Sequence, residues 1–539
     1  MKPLGFINFD GITGETNEVE IIIPKDRLDL LRRGQYIRIE SSSCGEIRNY
    51  LARIVRGPFY VPDAVKKDSA FSRAAILHAD EVKFRPDYHG VCKAQIIGEI
   101  APEGMRITGA FSRPHPQAAI YPLSDEEIER HLELEGDMYL GKLYGYPGVR
   151  LRFPAHRNAA LPRNLGIFGT VGSGKTNTSQ VLIEEASFAG WAVIVIDVEG
   201  EYVDMDKPSE EKSLYHLHEK FGIKPEGLKY LKVYHCVNTE PARSDSQEFS
   251  IRFSNIRPEI ISEIINLTEV QEQIFLEIYF GILQQKEGRT RASGGRGLIS
   301  HLMDDDAPKK ITLNEIIERI DEILSQGKTE TQRQLGHKSS LYALRRKLRK
   351  LQRQDIFDKP NHLGDYSELV EGGKVSVIDL SGSYNEEINN IVIVDLLRSI
   401  FKLKLKGKNE TPVIIIIEEA HTLVSEENAK RMNETLDILR EISRRGRKRW
   451  ISLCFVSQQP SHLPQEIYEL CNTKIIHQTT SGRNLNAIKN STGSVNPAVW
   501  DEVPVLGQGR CLFISSVFKN RSILADIRIC KSKRRYTEE

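Results

Sequence analysis

Seven cysteines in 539 residues, at positions 44, 92, 236, 454, 471, 511 and 530, form no CxxC pair and no His-rich spacing. Their scatter excludes a zinc module and a disulfide-stapled fold, and leaves small buried hydrophobes in a reducing compartment. An excess of one charge is lacking as well, since 75 basic against 74 acidic side chains leave +1. No basic field coats the whole molecule, so a polyanion must meet a local patch. No apolar run approaches the roughly 18 residues that a bilayer crossing needs, and the opening residues show no charged segment followed by an apolar one. A soluble cytoplasmic protein is expected, with no membrane partner. No internal repeat is present. What remains is ordinary for a globular chain, 40% hydrophobic and 28% charged, long enough for about three to four domains of roughly 150 residues.

Up to about residue 110 short apolar runs alternate with turn residues, at Gly5–Phe9, Glu18–Ile23, Gln35–Glu40, Tyr50–Val55, Val91–Ile97 and Met105–Gly109. This spacing predicts a small barrel or sandwich. A polar helical stretch from Leu123 and the glycines at 141–148 bridge to the next unit, with a boundary near residue 150. From Asn164 the pattern becomes strand, Gly-rich turn, helix, strand, the signature of a parallel sheet covered by helices. Further buried strands are expected at Val375–Leu380, Val413–Ile417, Ile451–Ser457 and Lys474–His477. The long stretch between Asp197 and Val375 has helical periodicity and reads as an inserted helical subdomain, about 255–370, with a Gly/Ser/Arg loop at Gly288–Gly297. The expected organisation is therefore α/β: a β-barrel and linker at 1–150, a P-loop core at 151–515, and a C-terminal strand and basic tail at 516–539. The tail residues Lys531–Arg535 are expected to be unstructured.

The sharpest motif is Gly169-Thr170-Val171-Gly172-Ser173-Gly174-Lys175-Thr176, which fits G-x4-G-K-[ST] and has the required strand before it and helix after it. Glycines let backbone N–H groups wrap a phosphate at a helix N-terminus, Lys175 neutralises the outer phosphates, and the Thr176 hydroxyl ligates Mg2+. Asn177 and, just before the strand, Arg163 are further candidates for holding the same nucleotide. The second motif is an apolar strand ending in Glu418-Glu419-Ala420-His421. Glu418 is assigned to the metal and its water shell, and Glu419 to polarising the attacking water, because phosphoanhydride hydrolysis needs positioning and charge compensation. His421 reads as a structural hydrogen-bonder rather than a proton carrier. Ile451–Ser457 delivers Gln458 to the same sheet edge, where an amide can sense a γ-phosphate or its water. Asp197, in the run Asp197-Val198-Glu199-Gly200-Glu201-Tyr202, is expected to act as an acid behind the site, and Glu201 reads equally well as a strand-end turn residue. The cluster Arg444-Arg445-Gly446-Arg447-Lys448-Arg449 contains a candidate arginine finger, Arg444 first and Arg445 or Arg447 as substitutes, against the plainer reading of a solvated helix end.

Together GIFGTVGSGKT, DVEGEY, VSVIDLSG, IIIIEEAH, SRRGRKRW and SQQPSHLP resemble the HerA family of hexameric ATPases, relatives of the FtsK-type DNA pumps, in order over most of residues 150–515. The resemblance implies a RecA-like motor core, a homo-hexamer with ATP between subunits, and double-stranded DNA in a basic central channel. It carries the phosphate-loop role onto Gly169–Thr176, the acidic roles onto Asp197, Glu418 and Glu419, the finger onto Arg444 and the sensor onto Gln458. Gln459 departs from the family's usual SQRP. Candidate channel stretches are Arg345 through Arg353 and the alternating Lys402, Lys404, Lys406 and Lys408. Such motors act with a separate nuclease or NAD-consuming effector, and an effector bound through the barrel is implied, in anti-phage defence or DNA end processing. The competing reading is a ring-shaped ATPase that assembles and regulates its effector without moving DNA. A secretion motor fits less well, for want of a membrane segment.

Overall fold

The computed structural model describes residues 2–9, 17–43, 45–63, 66, 68–77, 87–102, 107–286, 311–325, 338–361, 363, 366–383, 385–407, 409–423, 433–493, 495–518 and 521–535. Cys44, the Gly288–Gly297 loop and Lys408 lie outside the described residues. The chain forms two units: 1–154 with 493–527, and 155–492 with 528–539.

In the first unit, seven strands run β1 (Gly5–Ile7), β2 (Glu18–Ile23), β3 (Tyr36–Ser43), β4 (Glu46–Pro62), β5 (Tyr88–Ile100), β6 (Ile107–Thr108) and β7 (Ala119–Pro122). Their order is β2-β1-β7-β3-β4-β5-β6, and β2 also pairs with β5, which closes six of them into a barrel. Closure removes the open edge that a small sheet would otherwise expose. The expected alternation is visible in β2, where Val19, Ile21 and Ile23 point inward to meet Ile37, Ile39, Ile54 and Ile120. Each such aliphatic contributes about 1.5–3 kcal/mol by leaving water. The run expected at Tyr50–Val55 is the middle of the much longer β4, whose register shifts near Leu51, Ile54 and Arg56 let one strand bend around the barrel. Helix Asp125–Leu132 begins at Ser124 with a capping box closed by Glu127. After it come β8 (Met138–Leu143) and β9 (Arg150–Phe153), in an antiparallel run ordered β18-β19-β8-β9 with β18 (Arg510–Ile514) and β19 (Ser522–Ile527). Thus β19 belongs with the first unit and not to a separate C-terminal piece.

The second unit holds eight parallel strands: β10 (Leu165–Phe168), β11 (Ala192–Asp197), β12 (Leu231–Cys236), β13 (Gln247–Phe249), β14 (Val375–Asp379), β15 (Val413–Ile417), β16 (Ile451–Ser457) and β17 (Thr473–Ile476), in order β13-β12-β14-β11-β15-β16-β10-β17. β10, β11, β14, β15 and β16 are buried along their whole length, as a sheet covered on both faces requires. β12 and β13 fall inside the stretch read as helical. In Leu-Lys-Val-Tyr-His-Cys two polar residues interrupt the apolar run, because the strand begins half-exposed. The helical subdomain is present at Pro258–Ile264, Glu269–Lys286, Leu313–Ser325 and Lys338–Gln352. The six described cysteines are buried and unpaired. Among the described residues no helix is long and apolar enough to cross a membrane.

Candidate active site

β10 turns at Gly169, where a Cβ would stand 2.6 Å from Ser173 Oγ and 2.7 Å from His477 Cβ, so a larger residue would push the loop off its seat. Gly172 and Gly174 take φ of +71° and +110°, values that favour glycine. The loop feeds helix Lys175–Phe188, whose first N–H groups have no acceptor inside the helix. Those donors and the helix dipole make a seat for phosphate. Thr170 pins the loop to the end of β17, its N–H and hydroxyl both donating to the Gln478 carbonyl at 2.9 and 3.0 Å. Ser173 Oγ and Lys175 Nζ donate to the Thr170 carbonyl at 2.7 and 3.0 Å. Behind the loop, Thr178 Oγ1 and His477 Nε2 share a buried 2.8 Å hydrogen bond.

Because β15 and β16 are neighbours, and β16 also pairs with β10, their C-terminal ends meet the phosphate loop. Glu419 has φ +43°, a left-handed turn that sends consecutive carboxylates to different places. Glu418 Oε2 accepts 2.7 Å from the Tyr202 hydroxyl. Glu419 accepts from the Gln458 amide and has His421 Nδ1 3.0 Å from its other oxygen. The two acids are thereby driven apart. Burial, against the Tyr202 hydrogen bond and together with the charge of Glu419, raises Glu418 to about 8. Burial also pushes Glu419 up, but His421, Gln458 and Lys175 outweigh it and hold that carboxyl below its usual range. Near neutral pH Glu418 therefore keeps its proton and Glu419 is ionised, two roles set by environment. Burial lowers Lys175 while Glu419, Glu418 and Glu201 pull it back up.

Asp197 does not face the phosphate seat. Its Oδ1 accepts from the N–H groups of Glu199, Gly200 and Glu201 and its Oδ2 from Tyr202, at 2.7 to 3.3 Å, so it shapes the turn that presents Glu201 and Tyr202. It is a positioning residue, raised to about 7 by burial. Glu201 hydrogen-bonds the Thr176 hydroxyl and is itself raised by burial. Tyr202 and Glu201 are thus the site residues that sequence reasoning undervalued, although both stand in the quoted DVEGEY run. The Asn177 side chain is also turned away from the nucleotide seat: Nδ2 donates to the Arg528 carbonyl and Oδ1 accepts from Cys530 N–H, both at 2.9 Å. The tail expected to be unstructured, Lys531–Arg535, is instead held against the same helix. Arg528, fully buried, forks onto Glu184 and Glu185 of the phosphate-loop helix at 2.7 and 2.8 Å, and Glu184 also accepts from the N–H groups of Lys531 and Ser532.

Arg444 and Arg447 are exposed, and Arg445 pairs with Glu441, so the finger candidates stand outside the chain's own phosphate loop region as a solvent-facing helix end. Arg163 is half-buried beside β10. One channel candidate is corrected. Lys404 is buried and donates to the Thr411 carbonyl at 2.6 Å. In the Arg345–Arg353 stretch, Arg345 and Arg349 pair with Asp321, Lys350 with Glu387, and Lys347 donates to Gln271.

The donor set fits a nucleotide with magnesium: a helix N-terminus, one buried ammonium, a threonine hydroxyl and crowded carboxylates. Among the described residues no three His, Cys, Asp or Glu side chains form a metal cage. Magnesium does not need one, since it takes one or two protein oxygens and completes its shell with phosphate and water.

Residues 138–400 match the family described as Helicase HerA, central domain. The chain is 25% identical over 506 residues to the DNA double-strand break repair helicase HerA of Sulfolobus acidocaldarius, covering 92% of this chain and 88% of that one. It is 22% identical over 448 residues to the helicase of the same name from Pyrococcus furiosus, covering 74% and 71%. In fold it is similar to VirB4 of Thermoanaerobacter pseudethanolicus, with a TM-score of 0.50, 16% identity, and 73% and 96% of the two chains covered. With its phosphate loop and the paired acids of β15, the chain is a P-loop ATPase whose residues 138–400 are similar to the central domain of the HerA helicases.

Proposed function

We propose that this chain is the motor subunit of a homo-hexamer that hydrolyses ATP with Mg2+ in the cytoplasm and moves along double-stranded DNA, feeding or regulating a separate nuclease or NAD-consuming effector held through the barrel, in anti-phage defence or DNA end processing. The observation that carries the catalytic part is the meeting of Gln458 and Glu419 at the ends of adjacent strands, beside the loop that holds Lys175. Gly169–Thr176 seats the phosphates, and Thr176 and Glu418 hold the metal, which supplies charge neutralisation at the outer phosphates when bound. Glu418 would give up its proton to hold that cation. Glu419, already ionised, orients and polarises the attacking water, and Gln458 fixes the direction in which that carboxylate points. Arg444 of a neighbouring subunit compensates the charge of the transferring group, so hydrolysis depends on the ring. The DNA part rests on the relatives that align along most of this chain.

The test is the ATPase rate of the purified chain, with its mass measured in the same buffer, with and without linear duplex DNA across a salt series. A hexamer stimulated by DNA, losing that stimulation as salt screens phosphate contacts, supports the motor. A ring whose rate ignores DNA at every salt overturns translocation in favour of an effector-regulating ring.

A further inference from the structure

In the first unit a cavity of about 140 Å³ lies between the barrel and the loops around Gly145 and Glu502. Its wall carries three guanidinium groups, from Arg32, Arg33 and Arg53, and one carboxylate, Glu502. Glu502 is taken by Arg33, whose Nε lies 3.3 Å from it, while another Arg33 nitrogen donates to the Ala498 carbonyl at 2.9 Å. Arg32 donates to the Gly145 carbonyl and stacks over Tyr146, 5.4 Å from the ring centre. Arg53 is different. It stands on β4, only 5% exposed, and both its Nε and Nη1 lack a hydrogen-bond partner.

A buried guanidinium with two donors that meet no protein acceptor is costly unless a nearby anion offsets its charge. The nearest ring, Tyr36, has its centre 5.8 Å from Arg53 Cζ and gives only a cation–π contact. The wall is also shaped for close approach. Gly34 and Gly145 sit at φ +84° and +83°, and a Cβ on Gly145 would reach within 3.5 Å of the Arg32 guanidinium. The volume equals about five waters at roughly 30 Å³ each, room for the five heavy atoms of a phosphate group. The guanidinium groups of Arg32 and Arg53 both line this cavity, and guanidinium is the side-chain group best suited to tetrahedral oxyanions.

We infer that this cavity is a binding site for a phosphoryl oxyanion, separate from the phosphate loop, with Arg53 as its buried anchor and Arg32 as its exposed second arm. Free inorganic phosphate and the 5′-phosphate of a DNA strand share this chemistry.

The experiment uses the full chain carrying Lys175→Ala, which removes the phosphate loop's own cation, melted over a graded sodium phosphate series at constant ionic strength. The melting temperature is expected to climb with the logarithm of phosphate concentration once the site begins to fill. Adding Arg53→Met is expected to raise the melting temperature in phosphate-free buffer, by removing the unpaired charge, and to abolish the climb. If that variant does not fold by circular dichroism, Arg32→Ala is read instead, with half-saturation expected at about tenfold more phosphate. A flat series, or a climb that the Arg53 or Arg32 substitution leaves unchanged, overturns the site. A 5′-phosphorylated oligonucleotide against its 5′-hydroxyl twin separates the sources. Saturation by inorganic phosphate assigns the free ion, and saturation by the phosphorylated strand alone assigns a DNA end.

Discussion

The hydroxyl of Tyr202 donates to Glu418 Oε2 across 2.7 Å and ties the turn after β11 to the end of β15. Asp197 holds that turn by four backbone hydrogen bonds. The acid assigned to the metal is thereby positioned by residues on another strand, and its proton is kept by the surroundings and not by its own chemistry.

Glu418→Gln tests this through stability against pH. In the fold the group titrates at about 8, in the unfolded chain near 4.3. Between those values the folded chain holds a proton that the unfolded chain has lost, so the wild type loses stability as pH rises from about 4 to 8 and levels off above. Glutamine cannot ionise. The variant is expected to gain on the order of 5 kcal/mol over wild type at pH 8.5 and nothing near pH 4, read by denaturant melts at several pH values. A constant difference across pH would refute the buried, protonated Glu418.

Glu419→Gln is expected to bind ATP normally and lose on the order of 10²–10⁴ in kcat, as removal of a positioned base does. Full activity would sink the assignment of Glu419.

Gln458→Ala separates orientation from mere packing. Gln458 donates to Glu419 and helps hold its carboxyl low. Its loss is expected to cost about tenfold in kcat and to move the acid limb of the pH–rate profile upward. An unmoved limb would assign Gln458 to structure alone.

Arg444→Ala is expected to retain ATP binding and to hydrolyse on the order of 10³-fold more slowly, the scale of an arginine finger. Mixed with Lys175→Ala chains it is expected to recover activity, since a wild-type loop then meets a wild-type finger across a subunit boundary. Absence of recovery counts against a shared site.

Arg528→Ala removes the buried guanidinium that Glu184 and Glu185 share and is expected to destabilise the chain by about 3–5 kcal/mol, measured by chemical denaturation.

Much of this was legible in the sequence, for stated reasons. The phosphate loop fixes its own context, because only that strand, turn and helix let Gly169, Gly172 and Gly174 do their parts. β2 and β5 alternate and β10, β11, β14 and β15 do not, which separates a one-sided barrel from a two-sided sheet. The roles of Asp197 and Asn177 were not legible. A side chain that serves distant backbone looks the same in sequence as one that serves a ligand, and Asn177 meets residues 528–530 across some 350 positions. The tail lysines and arginines read as solvated for the same reason: Lys531 and Lys533 make their contacts through backbone groups, while Arg534 finds Glu211 and Arg535 the Ala242 carbonyl far away in sequence.

Eleven of the fourteen residues of the phosphate-loop helix are buried, with the segment after Ile527 laid along it and Arg528 locked to its far end. A helix enclosed on that scale is an anvil and not a lever. In the proposed ring, the free energy released at its N-terminus would not go into swinging it but would pass through what meets the phosphates from the other side: the exposed arginines proposed to reach in from a neighbouring subunit and the Glu419–Gln458 pair that would share their target.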